Sequence, residues 1–147
     1  MAKVLISPGK YIQGAGEMKK IGEYASGYGK RALILISQGG YKRIGKEIEE
    51  SFAGKDCTPV FDYFQGECSK TEINRLTDVM KEQECDLVIG IGGGKIFDTA
   101  KAVAFYQKVP VVICPTIAST DAPCSALSVI YTDDGVFEEY LFLPSNP

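Results

Sequence analysis

Three consecutive glycines and the lysine that follows them are the residues of this chain best suited to binding an anion. Gly92, Gly93 and Gly94 come directly after an apolar run, and Lys95 follows them. Glycines admit backbone angles that side chains forbid, and they let a ligand approach the main chain closely. A helical pattern begins at Ile96, and the unpaired N–H groups at a helix start attract negative charge. A strand, a glycine turn and a helix start in this order predict a phosphate site, with a plain tight turn as the alternative.

The turn matches neither of the two common phosphate-binding fingerprints. A Walker loop needs Ser or Thr directly after its lysine, and here that residue is Ile96. A dinucleotide fingerprint needs a third glycine where this chain has Lys95. A formal GxGxxA match at Gly27, Gly29 and Ala32 precedes a strand instead of following one. We therefore interpret that match as the end of a helix.

Three polar side chains near these turns each leave two interpretations open. Lys95 is either a point charge for a phosphate or a solvated lysine in a first helical turn. Asp98 is predicted in that same first turn, where it either caps the helix or contacts a ligand. Ser37 ends a strand at the place where nucleotide-binding sheets usually hold ribose with an acid. A serine there can hydrogen-bond to a cofactor, but it carries no charge.

A second candidate segment is the hydroxyl-rich loop of residues 115–126, which follows a predicted strand. Open α/β sheets bind ligands at this edge. The hydroxyls either bind phosphate, ribose or a polyol, or close local turns; they belong to Thr116, Ser119, Thr120 and Ser125. Asp121 is the only carboxylate in the loop and is either a turn residue or a ligand of substrate hydroxyls. Tyr131 ends the next strand, in the core or at the rim of the site.

Composition excludes several classes of function. The chain has 147 residues, no histidine, five cysteines and a net charge of −3. Without histidine it cannot contain a Ser-His-Asp, Cys-His or His-ligated zinc site of its own. An odd number of cysteines without a CxxC pair indicates free thiols. The charge gives no reason to expect nucleic acid or a membrane as a partner. Because the first residues lack the apolar core of a signal peptide, we expect a cytoplasmic protein.

Strands and helices alternate along the chain up to about residue 114. This alternation predicts one α/β domain over residues 1–147, Rossmann-like, with a mostly parallel sheet and helices on both faces. Strand patterns cover residues 32–36, 58–64, 87–91 and 109–114, with two short candidates at 4–7 and 11–13. Asp133-Asp134-Gly135 between two further strand patterns predicts a C-terminal β-hairpin. The last residues are loop-like, as if the chain were cut at a domain junction.

Several segments together resemble the iron-containing (group III) alcohol dehydrogenase superfamily. They are SPGKYIQGAG, FQGECSKTEI, GIGGGKIFDTAK and PTIASTDAPCSALSVIYTDDG, and the resemblance covers essentially the whole chain. It is strongest to the members that act on glycerol. It implies an N-terminal nucleotide domain and a C-terminal helical domain, which together oxidise glycerol with NAD and a divalent metal, usually zinc. Such a protein is expected to be a homo-oligomer when complete.

The resemblance also implies roles for individual residues. The resemblance implies that five residues lie along the cofactor pyrophosphate: Gly92, Gly93, Gly94, Lys95 and Ile96. Those implied in the rest of the cofactor cleft are Thr116, Ile117, Ala118 and Ser119, with Ser125, Leu127 and Tyr131 mostly near the nicotinamide end. Asp121 is implied to hold the substrate hydroxyls.

The chain departs from the family pattern at three places. Ile96 stands where the family has threonine, so one hydroxyl contact to phosphate is lost. Ser37 replaces the usual acid, which weakens the preference for NAD over NADP. The family's metal ligands, one aspartate and two histidines, belong to the helical domain, so we expect no metal ligand in this chain. We expect the chain alone to be inactive.

Other functions remain open from the sequence. Within the superfamily, the substrate could be another diol or glycerol 1-phosphate, and a 3-dehydroquinate synthase relative is more distant. The absence of Lys and Arg from residues 115–131 favours a neutral small polyol. From a different class, the chain could be a non-catalytic nucleotide-binding or assembly module with an uncovered apolar face.

Overall fold

A parallel sheet of four strands forms the centre of the computed structural model, which describes all 147 residues. Along the sheet the strand order is β2-β1-β3-β4, and every neighbouring pair is parallel. The strands are β1 Arg31–Ile36, β2 Thr58–Tyr63, β3 Leu87–Gly92 and β4 Val111–Pro115. An antiparallel hairpin of β5 Leu127–Tyr131 and β6 Phe137–Phe142 follows. The predicted α/β class and the C-terminal hairpin are confirmed.

Helices connect the parallel strands. They are a 3-10 turn at Glu17–Lys20 with α1 Ile21–Ser26, then α2 Gln38–Gly40, a π-helix Tyr41–Gly45 and α3 Lys46–Ser51, then α4 Lys70–Glu82 and α5 Gly94–Gln107. Gly27 is the C-cap residue of α1, which confirms that the GxGxxA match marks a helix end. The hydroxyl of Ser69 accepts from the backbone N–H of Glu72 and caps α4. None of the helices is both long enough and apolar enough to span a membrane.

The core lies on both faces of the sheet. Alternate residues of β1 and β3 point to opposite faces, and Leu33 and Ile34, for example, belong to different apolar clusters. One cluster packs against α4 and α5, and the other packs against α1 and α3. A Cβ at Gly90 would lie 2.9 Å from Cβ of Ala100. Glycine at this position therefore lets α5 pack directly on β3.

The hairpin covers the side of α5 that faces away from the sheet. Its β5 strand is joined to the loop before α4 by a hydrogen bond from the N–H of Tyr131 to the carbonyl of Cys68, 2.8 Å long. At the hairpin turn, Asp133 accepts from the hydroxyl of Thr71 at 2.9 Å. Because sheet and hairpin enclose α5 from two sides, its residues 99–104 are all buried.

Two of the predicted strands are wrong. Residues 4–7 and 11–13 form no strand, and Val4 and Leu5 are 82% and 94% exposed. An apolar stretch becomes a strand only where a neighbouring backbone supplies hydrogen bonds, and no strand of this chain lies beside these residues. The last parallel strand begins at Val111, two residues later than predicted, although the carbonyl of Pro110 still accepts from the N–H of Val88.

Candidate functional site

The glycine turn between β3 and α5 leaves the start of the helix open. Gly92 has φ +147°, and a Cβ there would lie 2.7 Å from Cδ1 of Ile96, so the turn requires glycine at this position. Gly93 is the N-cap residue of α5, and no side chain caps the helix. A Cβ at Gly93 would meet no atom within 4 Å. The first N–H groups of α5 therefore face free space at the positive end of the helix dipole.

Lys95 stands at the edge of this turn and is already paired. Its Nζ lies 2.7 Å from Oε1 of Glu67, and the lysine side chain is 57% exposed. The ammonium of Lys95 is thus close to the helix start, but it already forms an ion pair with the carboxylate of Glu67, which lies in the loop before α4.

A cleft of about 320 Å³ opens beside the turn. Its walls come from the turn and the first half of α5, the hydroxyl-rich loop, strand β5 of the hairpin and the loop before α4. It is lined by Cys68, Gly94, Lys95, Asp98, Thr120, Asp121, Ala122, Ser125, Leu127, Val129 and Tyr131. A Cβ at Gly94 would lie 3.7 Å from Cγ2 of Thr120, so the loop passes directly beside the turn. The fold brings the glycine turn, a carboxylate and several hydroxyls into one cleft.

Other predicted site residues lie around the turn without lining the cleft. Thr116 donates twice to the carbonyl of Gly92, through its N–H and its hydroxyl, each at 3.2 Å. It therefore fastens the end of β4 to the glycine turn. Ile117, Ala118 and Ser119 are exposed beyond it. The side chain of Ile96 is buried in the core, so only its backbone is near the turn.

Asp98 is not in the first turn of α5, and that prediction is wrong. The helix begins at Gly94, which places Asp98 in the second turn, where it cannot cap the helix. Its carboxylate accepts from the N–H of Val129 at 3.1 Å and pairs with Lys101 at 3.1 Å. Burial raises the pKa of Asp98, while the Val129 N–H and the Lys101 ammonium act in the opposite direction. The hydroxyl of Ser128 also donates to the carbonyl of Asp98 at 2.8 Å, so this residue ties the hairpin to α5.

Ser37 directly follows β1 at its carboxyl end and is not among the residues that line the cleft. Its hydroxyl oxygen accepts from the N–H of Gly40 at 2.9 Å and so caps the helical segment that begins at Gln38. The capping bond leaves the hydroxyl hydrogen free to be donated. Contact between Ser37 and a cofactor stays a prediction.

Glu67 and Lys101 are two residues near the cleft that the sequence patterns did not indicate. Glu67 lies in a loop 28 residues before its partner Lys95, and nothing in the spacing signals that contact. Lys101 follows Asp98 by three residues, a spacing that places both on one side of a helix and was the available signal. No group of three or more Cys, Asp or Glu side chains in the chain is arranged to hold a metal ion.

Comparison with known proteins gives the family. Residues 8–145 match the family described as "Iron-containing alcohol dehydrogenase". The chain is 48% identical to a glycerol dehydrogenase of Escherichia coli O6:H1 over 147 residues, and 52% identical to one of Thermotoga maritima over 148 residues. All of the chain is covered in both cases, and it spans 40% of the length of each relative.

Solved structures agree with these matches. A probable glycerol dehydrogenase from Sinorhizobium meliloti superposes with a TM-score of 0.90 at 46% identity, covering 99% of this chain and 39% of that one. The glycerol dehydrogenase of Schizosaccharomyces pombe superposes with a TM-score of 0.87 at 36% identity, covering 99% and 37% of the two chains. The chain belongs to the iron-containing alcohol dehydrogenase family.

Proposed function

We propose that this chain is the cofactor-binding part of an NAD-dependent polyol dehydrogenase whose complete form oxidises glycerol. The observation that carries the proposal is the open start of α5, which faces a cleft that also contains Asp121 and the loop hydroxyls. An anion site and a set of hydrogen-bonding groups for a polyol therefore lie side by side. The glycerol dehydrogenases among the relatives support the choice of substrate.

The turn fits the pyrophosphate of a dinucleotide. The helix start has no side-chain cap, and the space above Gly93 is empty to at least 4 Å. The N–H groups of residues 94–96 would donate to the phosphate oxygens, and Lys95 would add a positive charge. Thr116 would hold the turn in place through its two bonds to Gly92.

The rest of the cleft fits a small polyol beside a nicotinamide ring. NAD, when bound, supplies the acceptor for a hydride from the alcohol carbon. Asp121 would accept hydrogen bonds from substrate hydroxyls, and Ser125 would hydrogen-bond to the cofactor. Leu127 and Tyr131 would form the wall near the nicotinamide and keep water from the reacting carbon.

A neutral substrate fits better than a phosphorylated one. Residues 115–131 contain no Lys or Arg that could balance the charge of a phosphate on the substrate, and Asp121 would lie beside such a substrate phosphate. The nearest cations are Lys95, which pairs with Glu67, and Lys101, whose ammonium is enclosed by protein oxygens. We therefore place glycerol ahead of glycerol 1-phosphate and leave other neutral diols as the second candidate.

The divalent metal expected for this chemistry would not be held by this chain, since no cluster of ligand side chains is present. We therefore expect little or no turnover from the 147 residues alone. Robust metal-dependent oxidation of glycerol by the purified chain would contradict this part of the proposal.

Calorimetric titration of the chain with NAD, and separately with NADP, tests the proposed function. Saturable binding of NAD supports it, and tighter binding of NADP would make Ser37 the residue that sets cofactor choice. If neither dinucleotide binds, the glycine turn is only a turn in this chain and the proposal fails.

A further inference from the structure

Lys101 is a fully buried cation at the centre of α5. Its side chain is 0% exposed, and the residue as a whole is 1% exposed. A buried ammonium is unfavourable unless it is paired and its hydrogens are donated. The oxygen atoms that accept from Lys101 therefore indicate which segments of the fold its charge holds together.

Five oxygen atoms surround the ammonium, and four of them belong to the loop that carries Asp121 or to the start of β5. The Nζ atom lies 2.9 Å from the carbonyl of Ala122, 2.5 Å from the carbonyl of Leu127 and 3.2 Å from both the carbonyl and the hydroxyl of Ser125. The fifth oxygen is Oδ1 of Asp98, at 3.1 Å. The ammonium of Lys101 thus holds the segment of residues 122–127 by hydrogen bonds to Ala122, Ser125 and Leu127.

The same helix carries the glycine turn at its start. Asp98 and Lys101 together fasten β5 and the end of the loop to α5, because Asp98 also accepts from the N–H of Val129. The position of Asp121 relative to the turn therefore depends on how firmly Lys101 holds the next residue, Ala122. Lys101 thus joins α5, the helix that begins at the glycine turn, to the end of the loop.

We infer that Lys101 is the positioning residue of the cleft: its ammonium takes the place that a monovalent metal ion takes in a cage of carbonyl oxygens, and it fixes Asp121 and Ser125 relative to the glycine turn. Backbone carbonyl oxygens that replace the hydration shell of K⁺ are the known precedent for such a cage. The inference relies on the proposed function only for what Asp121 and Ser125 bind.

The test removes the charge and then restores it from solution. Lys101→Ala deletes the atoms from Cγ to Nζ, which n-propylammonium matches in length and charge. We expect amide hydrogen exchange of residues 120–131 to become at least about 10-fold faster in this variant and to slow again with n-propylammonium or K⁺. Tetramethylammonium, which has no N–H group and does not fit, controls for ionic strength and should have no effect.

Dinucleotide affinity is the second readout and separates this inference from the proposed function. We expect the dissociation constant for NAD to rise in Lys101→Ala and to recover with n-propylammonium, whereas Lys101→Met, which fills the space without a charge, should not recover. Unchanged exchange in Lys101→Ala, or exchange that no cation slows, would overturn the inference whether or not the wild-type chain binds NAD. Failure of the wild-type chain to bind NAD would instead count against the proposed function alone.

A variant that keeps the charge covers the case in which Lys101→Ala does not fold. Ser125→Ala removes one of the five acceptors and leaves the ammonium in place. We expect exchange to become faster in residues 122–127 and to remain unchanged in β1. Exchange that stays the same throughout the loop would contradict the inference.

Discussion

Lys95 and Glu67 form an ion pair at the mouth of the cleft, with 2.7 Å between Nζ and Oε1. The lysine follows the glycine turn and the glutamate precedes α4, so the pair joins two loops at the carboxyl edge of the sheet. A phosphate bound at the turn would compete with Glu67 for this ammonium. The pair would therefore lower the affinity for an anion that we propose for the turn.

Removing the charge of Glu67 should strengthen dinucleotide binding. We expect Glu67→Gln to lower the dissociation constant for NAD by about 2- to 5-fold, because an exposed ion pair contributes at most about 1 kcal/mol. Lys95→Met should weaken binding, and Glu67→Gln should then have a smaller effect in the Lys95→Met background. Calorimetric titration of the four proteins measures this coupling. Weaker binding by Glu67→Gln would contradict the account.

The turn itself should tolerate no side chain at Gly92. Its φ of +147° is unfavourable for other residues, and the new Cβ would lie 2.7 Å from Cδ1 of Ile96. We expect Gly92→Ala to lower the free energy of unfolding by about 1–3 kcal/mol. Urea denaturation followed by circular dichroism measures the loss. Wild-type stability would show that the turn adapts more freely than its geometry indicates.

A buried carboxylate should hold the loop before α4 in place. Glu72 is 4% exposed, pairs with Arg75 at 2.6 Å and accepts from the N–H of Gln65 at 2.8 Å. We expect Glu72→Ala to lower the free energy of unfolding by about 2–3 kcal/mol, since it leaves a guanidinium and a backbone donor without their acceptor. Asp78→Ala, at an exposed position of the same helix, is the matched control. Equal stability of the two variants would refute the prediction.

Two buried thiols should make the fold less stable in alkaline solution. Burial raises the pKa of Cys68 and of Cys114 from 9.0 to about 12. The folded chain therefore keeps these protons where the unfolded chain has lost them, and the stability present below pH 9 is lost as the pH rises through 12. We expect Cys114→Ala to lose less stability than the wild type between pH 8 and about pH 11. Urea denaturation at several pH values gives the comparison, and equal losses would argue against the assignment.

Exposure should set the order in which the thiols react. Cys124 is exposed, whereas Cys57, Cys68 and Cys114 are buried. We expect a thiol reagent at pH 8 to modify Cys124 first and to reach the three buried thiols only after unfolding. Mass spectrometry of the partly modified chain identifies the site. Early modification of Cys68 would show that the cleft opens much further than the structure indicates.

Much of the architecture can be read from local patterns. The apolar run of β3, the glycines after it and the Asp133-Asp134-Gly135 turn each determine their own local structure, and all three are found where the sequence predicts them. The strand candidate at residues 4–7 fails because strand formation depends on a partner elsewhere in the chain. Apolar character alone does not supply those hydrogen bonds.

In the candidate site, too, some contacts follow from local sequence patterns and others depend on distant parts of the chain. That the glycine turn and the loop of residues 115–126 meet follows from their places at the carboxyl ends of parallel strands. The roles of Asp98 and Lys101 could not be derived in this way, because the hairpin that contacts them lies about 30 residues further along the chain. A spacing of three residues identifies a pair on one side of a helix, but it does not show what covers that side.

We propose that the open start of α5 binds the phosphates of NAD, and the variant Gly93→Ala is designed to test this binding. Alanine fits at this position without a clash, so the fold should be retained, but its methyl group would enter the space that a phosphate needs. Gly9→Ala, which also adds a methyl group in open space but away from the cleft, is the matched control.

Calorimetric titration with NAD is the measurement to make on these three proteins. We predict saturable binding by the wild type and by Gly9→Ala, and at least about 10-fold weaker binding by Gly93→Ala at unchanged thermal stability. Equal affinity in Gly93→Ala would rule out a phosphate site at the start of α5, and so would the absence of binding in the wild type.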